Sequence, residues 1–121
     1  SDRTVALLRR DLQQVVNGGN GTARTAFANF GENVAQVGGK TGTGEVIKGF
    51  IDDDGTIIED VDNALFVGVA PINNPQYVIA VVIERGGSGG RVAAPTAARV
   101  LQYLLNGIEG VTDVFAGEEA D

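Results

Sequence analysis

The sequence predicts an α+β fold, sandwich-like, in which an antiparallel sheet of at least three strands is covered by an N-terminal and a C-terminal helix. Two observations carry this. Ala64–Ala70 and Gln76–Glu84 are strand-like runs joined by Pro71-Ile72-Asn73-Asn74-Pro75, whose prolines and asparagines favour a turn over continued pairing. Helical apolar spacing flanks them on both sides, over residues 3–16 and from about Ala93 to Asn106. With 121 residues, 43% of them apolar and 21% charged, the chain has the size and composition of a single folded domain.

In the first helix, Val5, Leu8, Leu12, Val15 and Val16 recur at the spacing of one buried face, and Asp2 or Ser1 can cap its start. Asn17-Gly18-Gly19-Asn20-Gly21 stops it, because glycine and asparagine tolerate the left-handed conformations of helix ends and tight loops. Val34–Ile47 is rich in β-branched residues but broken by Gly38, Gly39, Gly42 and Gly44. Glycine weakens a strand unless something must approach its backbone closely. The two later strands are apolar nearly throughout, which predicts burial on both faces and central places in a covered sheet. In the second helix Pro95 lies in the first turn, Val100, Leu101, Leu104 and Leu105 face inward, and Gly107 ends it. The folded part is expected over residues 1–110, with an acidic flexible tail over 111–121.

Composition removes several kinds of chemistry. The chain contains no His, Cys, Met or Trp, so histidine bases, cysteine nucleophiles, thiolate zinc sites and disulfides are excluded. No metal or cofactor is expected. The formal net charge of −7 is unevenly placed, since residues 52–62 hold six acids and 113–121 four, with no base in either. The remainder holds six acids and nine bases, enough for a locally positive cleft. Basic runs with interleaved aromatics are absent, so no nucleic-acid partner is expected. The apolar runs Ala64–Ile72 and Tyr77–Ile83 fall far short of the ~18 residues of a membrane helix.

Two glycine-rich segments and one acidic one suggest binding loops. Gly39-Lys40-Thr41 matches the end of a phosphate-binding loop, but the leading glycine would fall at Val34, and Gly42 and Gly44 follow where a helix should open. Asp52-Asp53-Asp54-Gly55 suggests a calcium loop, yet the required first and twelfth places would be Phe50 and Val61, so a solvated turn is expected. Gly86-Gly87-Ser88-Gly89-Gly90 precedes a helix and could cradle an anion with help from Arg85 and Arg91, but the favoured reading is a strand turning into a helix, with both arginines as surface charges.

Lys40-Thr41-Gly42-Thr43 is better read as a strand lining a cleft. Side chains alternate along a strand, so Thr41 and Thr43 share one direction while Lys40 and Gly42 share the other. Hydroxyls ~6–7 Å apart at strand rise can both donate to one carboxylate. Gly42 lets an extended peptide come close to the backbone, the Thr43 N–H can serve an oxyanion, and Lys40 supplies positive potential.

This tetrad resembles the third signature of the penicillin-recognising serine acyltransferases. Its flanks strengthen the likeness: Val15-Val16-Asn17-Gly18-Gly19-Asn20-Gly21-Thr22-Ala23, Asn63-Ala64-Leu65-Phe66-Val67-Gly68-Val69-Ala70-Pro71, and Val82-Ile83-Glu84 through Arg91-Val92-Ala93-Ala94-Pro95. In this order they resemble the C-terminal part of the transpeptidase domain of a class B penicillin-binding protein, over roughly residues 5–106. The resemblance implies the penicillin-binding protein and serine β-lactamase-like fold, with the tetrad at the cleft edge of the sheet. It implies that Lys40 supports proton transfer at a serine, that Thr41 and Thr43 hold the carboxylate of a D-Ala-D-Ala stem peptide or β-lactam, and that the Thr43 N–H forms half of an oxyanion hole.

The two other signatures, S-x-x-K and S-x-N, are absent, because Ser1 and Ser88 are the only serines and neither fits. The expected partner is therefore an upstream part of the same domain, and the chain alone is expected to be inactive. The expected location is the extracytoplasmic face of the bacterial membrane, with the anchor upstream. Leu65-Phe66 replaces a Trp-Phe pair usual in such proteins. Two alternatives stay open: a D,D-carboxypeptidase or serine β-lactamase fragment, and a non-catalytic module that binds peptide at an edge strand. Strands buried on both faces would leave apolar surface open in the isolated piece, so self-association is also expected.

Overall fold

The structure, a computed structural model, describes residues 1–46, 50–58 and 62–107. Helix α1 spans Asp2–Asn17, and Ser1 caps it by accepting from the Thr4 N–H. Short 3-10 turns follow at Thr25–Phe27 and Glu32–Gln36, then strand β1 over Gly38–Gly44. A small acidic hairpin, β2 (Phe50–Ile51) and β3 (Ile57–Ile58), precedes β4 (Asn63–Ala70) and β5 (Tyr77–Ile83). A π-helical turn at Gly89–Ala93 leads into α2, Ala94–Asn106, which ends at Gly107 with φ +74°. The expected tail over 111–121 lies outside the described residues.

The sheet order is β1-β4-β5, all antiparallel, with Thr41 opposite Phe66 and Phe66 opposite Val81. The predicted hairpin and the helices at either end are therefore present. Paired residues in such a ladder share a face. Ala64, Phe66 and Ala70 face a core closed by α2 and by Phe27 and Phe30. Phe27 bridges the other two rings, its centroid 5.8 Å from Phe66 and 5.3 Å from Phe30.

Four expectations are corrected. Strand β5 is an edge strand, and its outward residues Val78 and Val82 are 71% and 61% exposed; continuous apolarity did not mean burial on both faces among the described residues. In α1 only Val16 is buried, while Val5 and Leu8 stay exposed, because β1 meets the C-terminal half of the helix. In α2 the buried face is Ala94, Ala97, Ala98, Leu101 and Gln102, and Val100 and Leu104 are exposed. Of the expected face, Leu101 and Leu105 do pack on the core, while the small residues Ala94, Ala97 and Ala98 take the places expected for Val100 and Leu104. The first strand begins only at Gly38, since Glu32–Gln36 is a 3-10 turn.

The loop after α1 has a different reason for its glycines than left-handed geometry. Gly18 is extended, at φ −71° and ψ 154°. What demands glycine is close approach: a Cβ on Gly21 would overlap the Val15 carbonyl oxygen, while the Ala23 N–H bonds that same oxygen at 3.0 Å. The loop is thereby folded back onto the end of α1. In the acidic hairpin the expected solvated turn is present, with Asp52 Oδ1 accepting from the N–H groups of Asp54 and Thr56.

Candidate functional site

Strand β1 carries the tetrad along a sheet edge, and its register sorts the side chains. Thr41 and Thr43, opposite Phe66 and Ala64, stand on the core face; Lys40 and Gly42, opposite Val67 and Leu65, stand on the other. Beyond the buried aromatics, the core face opens into a cleft of about 870 Å³ beside β1. Its polar lining comes from three places in the chain: Thr22, Thr25 and Asn29 from the segment that follows α1 and includes the first 3-10 turn, Thr41 and Thr43 from β1, and Ser88 and Arg91 from the turn before α2.

Those three segments are locked together by backbone contact. Gly89 is buried over β1 and β4, and a Cβ there would overlap the carbonyl oxygens of both Gly42 and Leu65. The glycine run after β5 thus seats the start of α2 directly on the tetrad strand, a stronger requirement than turning the chain. On the far side, the Thr22 backbone carbonyl abuts Gly90 with no room for a Cβ between them.

The hydroxyls of Thr22 and Thr41 lie 2.7 Å apart, a hydrogen bond between the loop and the strand. Lys40 is exposed on the opposite face, and its Nζ donates to the Thr41 carbonyl at 2.7 Å. Of the four expected site residues, Thr41, Gly42 and Thr43 line the cleft, while Lys40 flanks the strand from its other side. The cleft can hold an anion, because the charge among its lining residues is the guanidinium of Arg91, accompanied by hydroxyl donors. Among the described residues, no group of three or more His, Cys, Asp or Glu is placed to hold a metal ion.

Sequence reasoning missed Thr22 and Asn29 as cleft residues, and it weighed Ser88 and Arg91 as an anion cradle apart from the tetrad. Thr22 had a weak signal, since it directly follows the Asn17–Gly21 run, whose glycines permit close backbone approach. Asn29 had none, and Arg91 read as a surface charge because nothing local reveals that Gly89 tucks its segment under β1.

Comparison with known proteins decides the family. A family model described as the penicillin binding protein transpeptidase domain matches residues 1–102. The chain belongs to this family. Among transpeptidase-domain proteins, it is 39% identical over 102 residues, 81% of its length, to the peptidoglycan D,D-transpeptidase MrdA of Haemophilus influenzae. It is 33% identical over 109 residues to the stage V sporulation protein D of Bacillus subtilis. It also resembles the crystal structure of Pseudomonas aeruginosa PBP2 in complex with WCK 5153, with a TM-score of 0.62 and 38% identity over 91% of this chain. It spans 15% of the length of each of the two curated relatives and 20% of the solved chain. Within the transpeptidase-domain family, the α+β fold read from the sequence stands: an antiparallel three-strand sheet with helices at both ends. No helix among the described residues is long and apolar enough to cross a membrane.

Proposed function

We propose that this chain is the part of a peptidoglycan D,D-transpeptidase that supplies the Lys-Thr-Gly-Thr wall of the active site, with the nucleophilic serine carried by a segment outside residues 1–121. The observation that carries the reading is the arrangement on β1: two threonines reach one cleft from either side of a glycine, and a lysine lies behind them. Membership of the transpeptidase-domain family supports it, as does the naming of the Haemophilus influenzae relative as a D,D-transpeptidase.

In this reading Thr41 and Thr43 donate to the terminal carboxylate of a D-Ala-D-Ala stem peptide or of a β-lactam. Gly42 leaves the strand edge bare, so that an extended peptide pairs with the backbone. The serine attacks the acyl carbon, and the Thr43 N–H, together with the serine's own N–H, stabilises the oxyanion that forms. Lys40, at the same strand edge but on its other face, acts on the serine through positive potential and favours withdrawal of its proton. Collapse of the adduct breaks the D-Ala-D-Ala peptide bond and releases the terminal D-Ala, whose amine takes the proton; an amine of a second stem peptide then attacks the serine ester, returns a proton to the serine oxygen and forms the cross-link. Peptidoglycan is built outside the cytoplasmic membrane, so the site works at that face.

Labelling with a fluorescent penicillin tests the proposal. The longer protein that carries this chain is expected to be acylated, and the isolated 121-residue chain is not. Covalent labelling of the isolated chain would show that the nucleophile lies within it and overturn the assignment.

A further inference from the structure

The hydrogen bond between Thr22 and Thr41 has a direction that function constrains. Each hydroxyl has one proton to donate, and the pair, at 2.7 Å, uses one of the two between them. If Thr41 gave its proton to Thr22, it would present only lone pairs to the cleft and would repel a carboxylate. If Thr22 is the donor, the Thr41 proton is free to point into the cleft, and accepting a bond makes that O–H a better donor.

Thr22 is held where it can play this part. Its neighbour Ala23 bonds the Val15 carbonyl at 3.0 Å, Arg24 N–H bonds the Gly21 carbonyl at 3.1 Å, and Gly90 closes on its own carbonyl from the other side. The loop is therefore clamped between the end of α1 and the turn before α2, and Thr22 itself lines the cleft. We infer that Thr22 is a positioning residue for carboxylate recognition: it donates to Thr41 and so fixes the Thr41 proton toward the substrate. This rests on the proposed function above, in that Thr41 is taken to bind the carboxylate.

The test measures the second-order acylation rate of the longer protein by a penicillin and by the ester of that penicillin, whose masked carboxylate no longer carries the charge. Thr22→Val keeps the shape and removes the donor, and it is expected to slow acylation by the acid about 3- to 10-fold, the worth of one ordinary hydrogen bond. Thr22→Ser restores the hydroxyl and should recover most of the rate. The ester should react equally with wild type and Thr22→Val. Equal loss with acid and ester, or no recovery by Thr22→Ser, would reduce Thr22 to a structural role and overturn the inference. A wild-type rate for Thr22→Val beside a slow Thr41→Val would overturn it while leaving the proposed function intact. A wild-type rate for Thr41→Val would remove the carboxylate assignment itself, and the inference with it.

Discussion

Gly89 lies directly over the carbonyl of Gly42, with no space for a single carbon between them. One glycine is in the tetrad strand and the other in the turn that starts α2, 47 positions later in the chain. This contact transmits the position of the C-terminal helix to the cleft edge. It also makes Gly89, outside the tetrad, more tightly constrained than Gly42 itself, where an added Cβ would meet only the Leu65 side chain, at 3.3 Å.

Gly89→Ala is expected to destabilise the protein by about 1–3 kcal/mol, the usual cost of forcing an extra carbon into a packed site. Because the overlap is with β1 and β4 backbone rather than with a flexible side chain, the strand must shift to relieve it. Penicillin acylation should therefore fall more than the loss of folded protein accounts for. Thermal unfolding and acylation measured on the same sample check this, and an unchanged unfolding temperature would contradict the packing.

How far the sequence discloses such contacts can be judged at particular residues. The strand runs, the Pro71–Pro75 turn and the tetrad were legible because they depend on local pattern: alternation, turn chemistry and motif spacing. The face of α2 was not, since Ala97 and Ala98 carry little apolar weight yet face the sheet. The cleft was half legible. Thr41 and Thr43 follow from strand alternation, but Thr22 and Arg91 reach them through backbone contacts between segments far apart in sequence, which no local pattern encodes.

Gln102 is the buried polar residue of α2, and its Nε2 donates to the carbonyls of Asn29 and Phe30 at 3.2 and 3.1 Å. It thereby ties α2 to the segment that lines the far wall of the cleft. Gln102→Leu keeps the bulk and removes the donor, stranding buried carbonyl groups at a cost of about 1–3 kcal/mol. Denaturant unfolding of the variant measures this, with a midpoint lowered at unchanged slope as the expected result.

Lys40 is exposed, and its Nζ donates to the carbonyl of its neighbour Thr41, so its removal should leave the fold intact. Its proposed work is electrostatic. In the longer protein, Lys40→Ala is expected to slow penicillin acylation about 10²-fold or more, in the range lost when a proton-transfer partner is removed. Circular dichroism and the unfolding temperature should stay at wild-type values. An unchanged acylation rate would end the role assigned to this lysine.

Arg91 is the charged residue in the cleft lining, and it is exposed. A surface cation acts on an approaching carboxylate mainly through long-range attraction, which salt screens beyond about 10 Å at 0.1 M. Arg91→Gln is therefore expected to lower the acylation rate about 2- to 5-fold at low ionic strength, a size typical of exposed charge pairs. The difference should shrink toward zero at 0.5 M added salt. A deficit independent of salt would mean that Arg91 contributes packing or a direct bond instead.

The outward face of the sheet carries Val67, Val78 and Val82, which are 45%, 71% and 61% exposed, alongside an edge strand. An apolar strand that is open both on its face and along its edge is a template for pairing with another chain. The isolated 121-residue chain is therefore expected to associate, seen by light scattering as species larger than the 12.5 kDa monomer. Val78→Lys and Val82→Lys together place charges on the same strand face, since the two residues are four apart in a period-two pattern. That pair should return the chain toward the monomer without loss of folded content by circular dichroism. A monodisperse monomer before any substitution would show that the open face is not sticky enough to drive association.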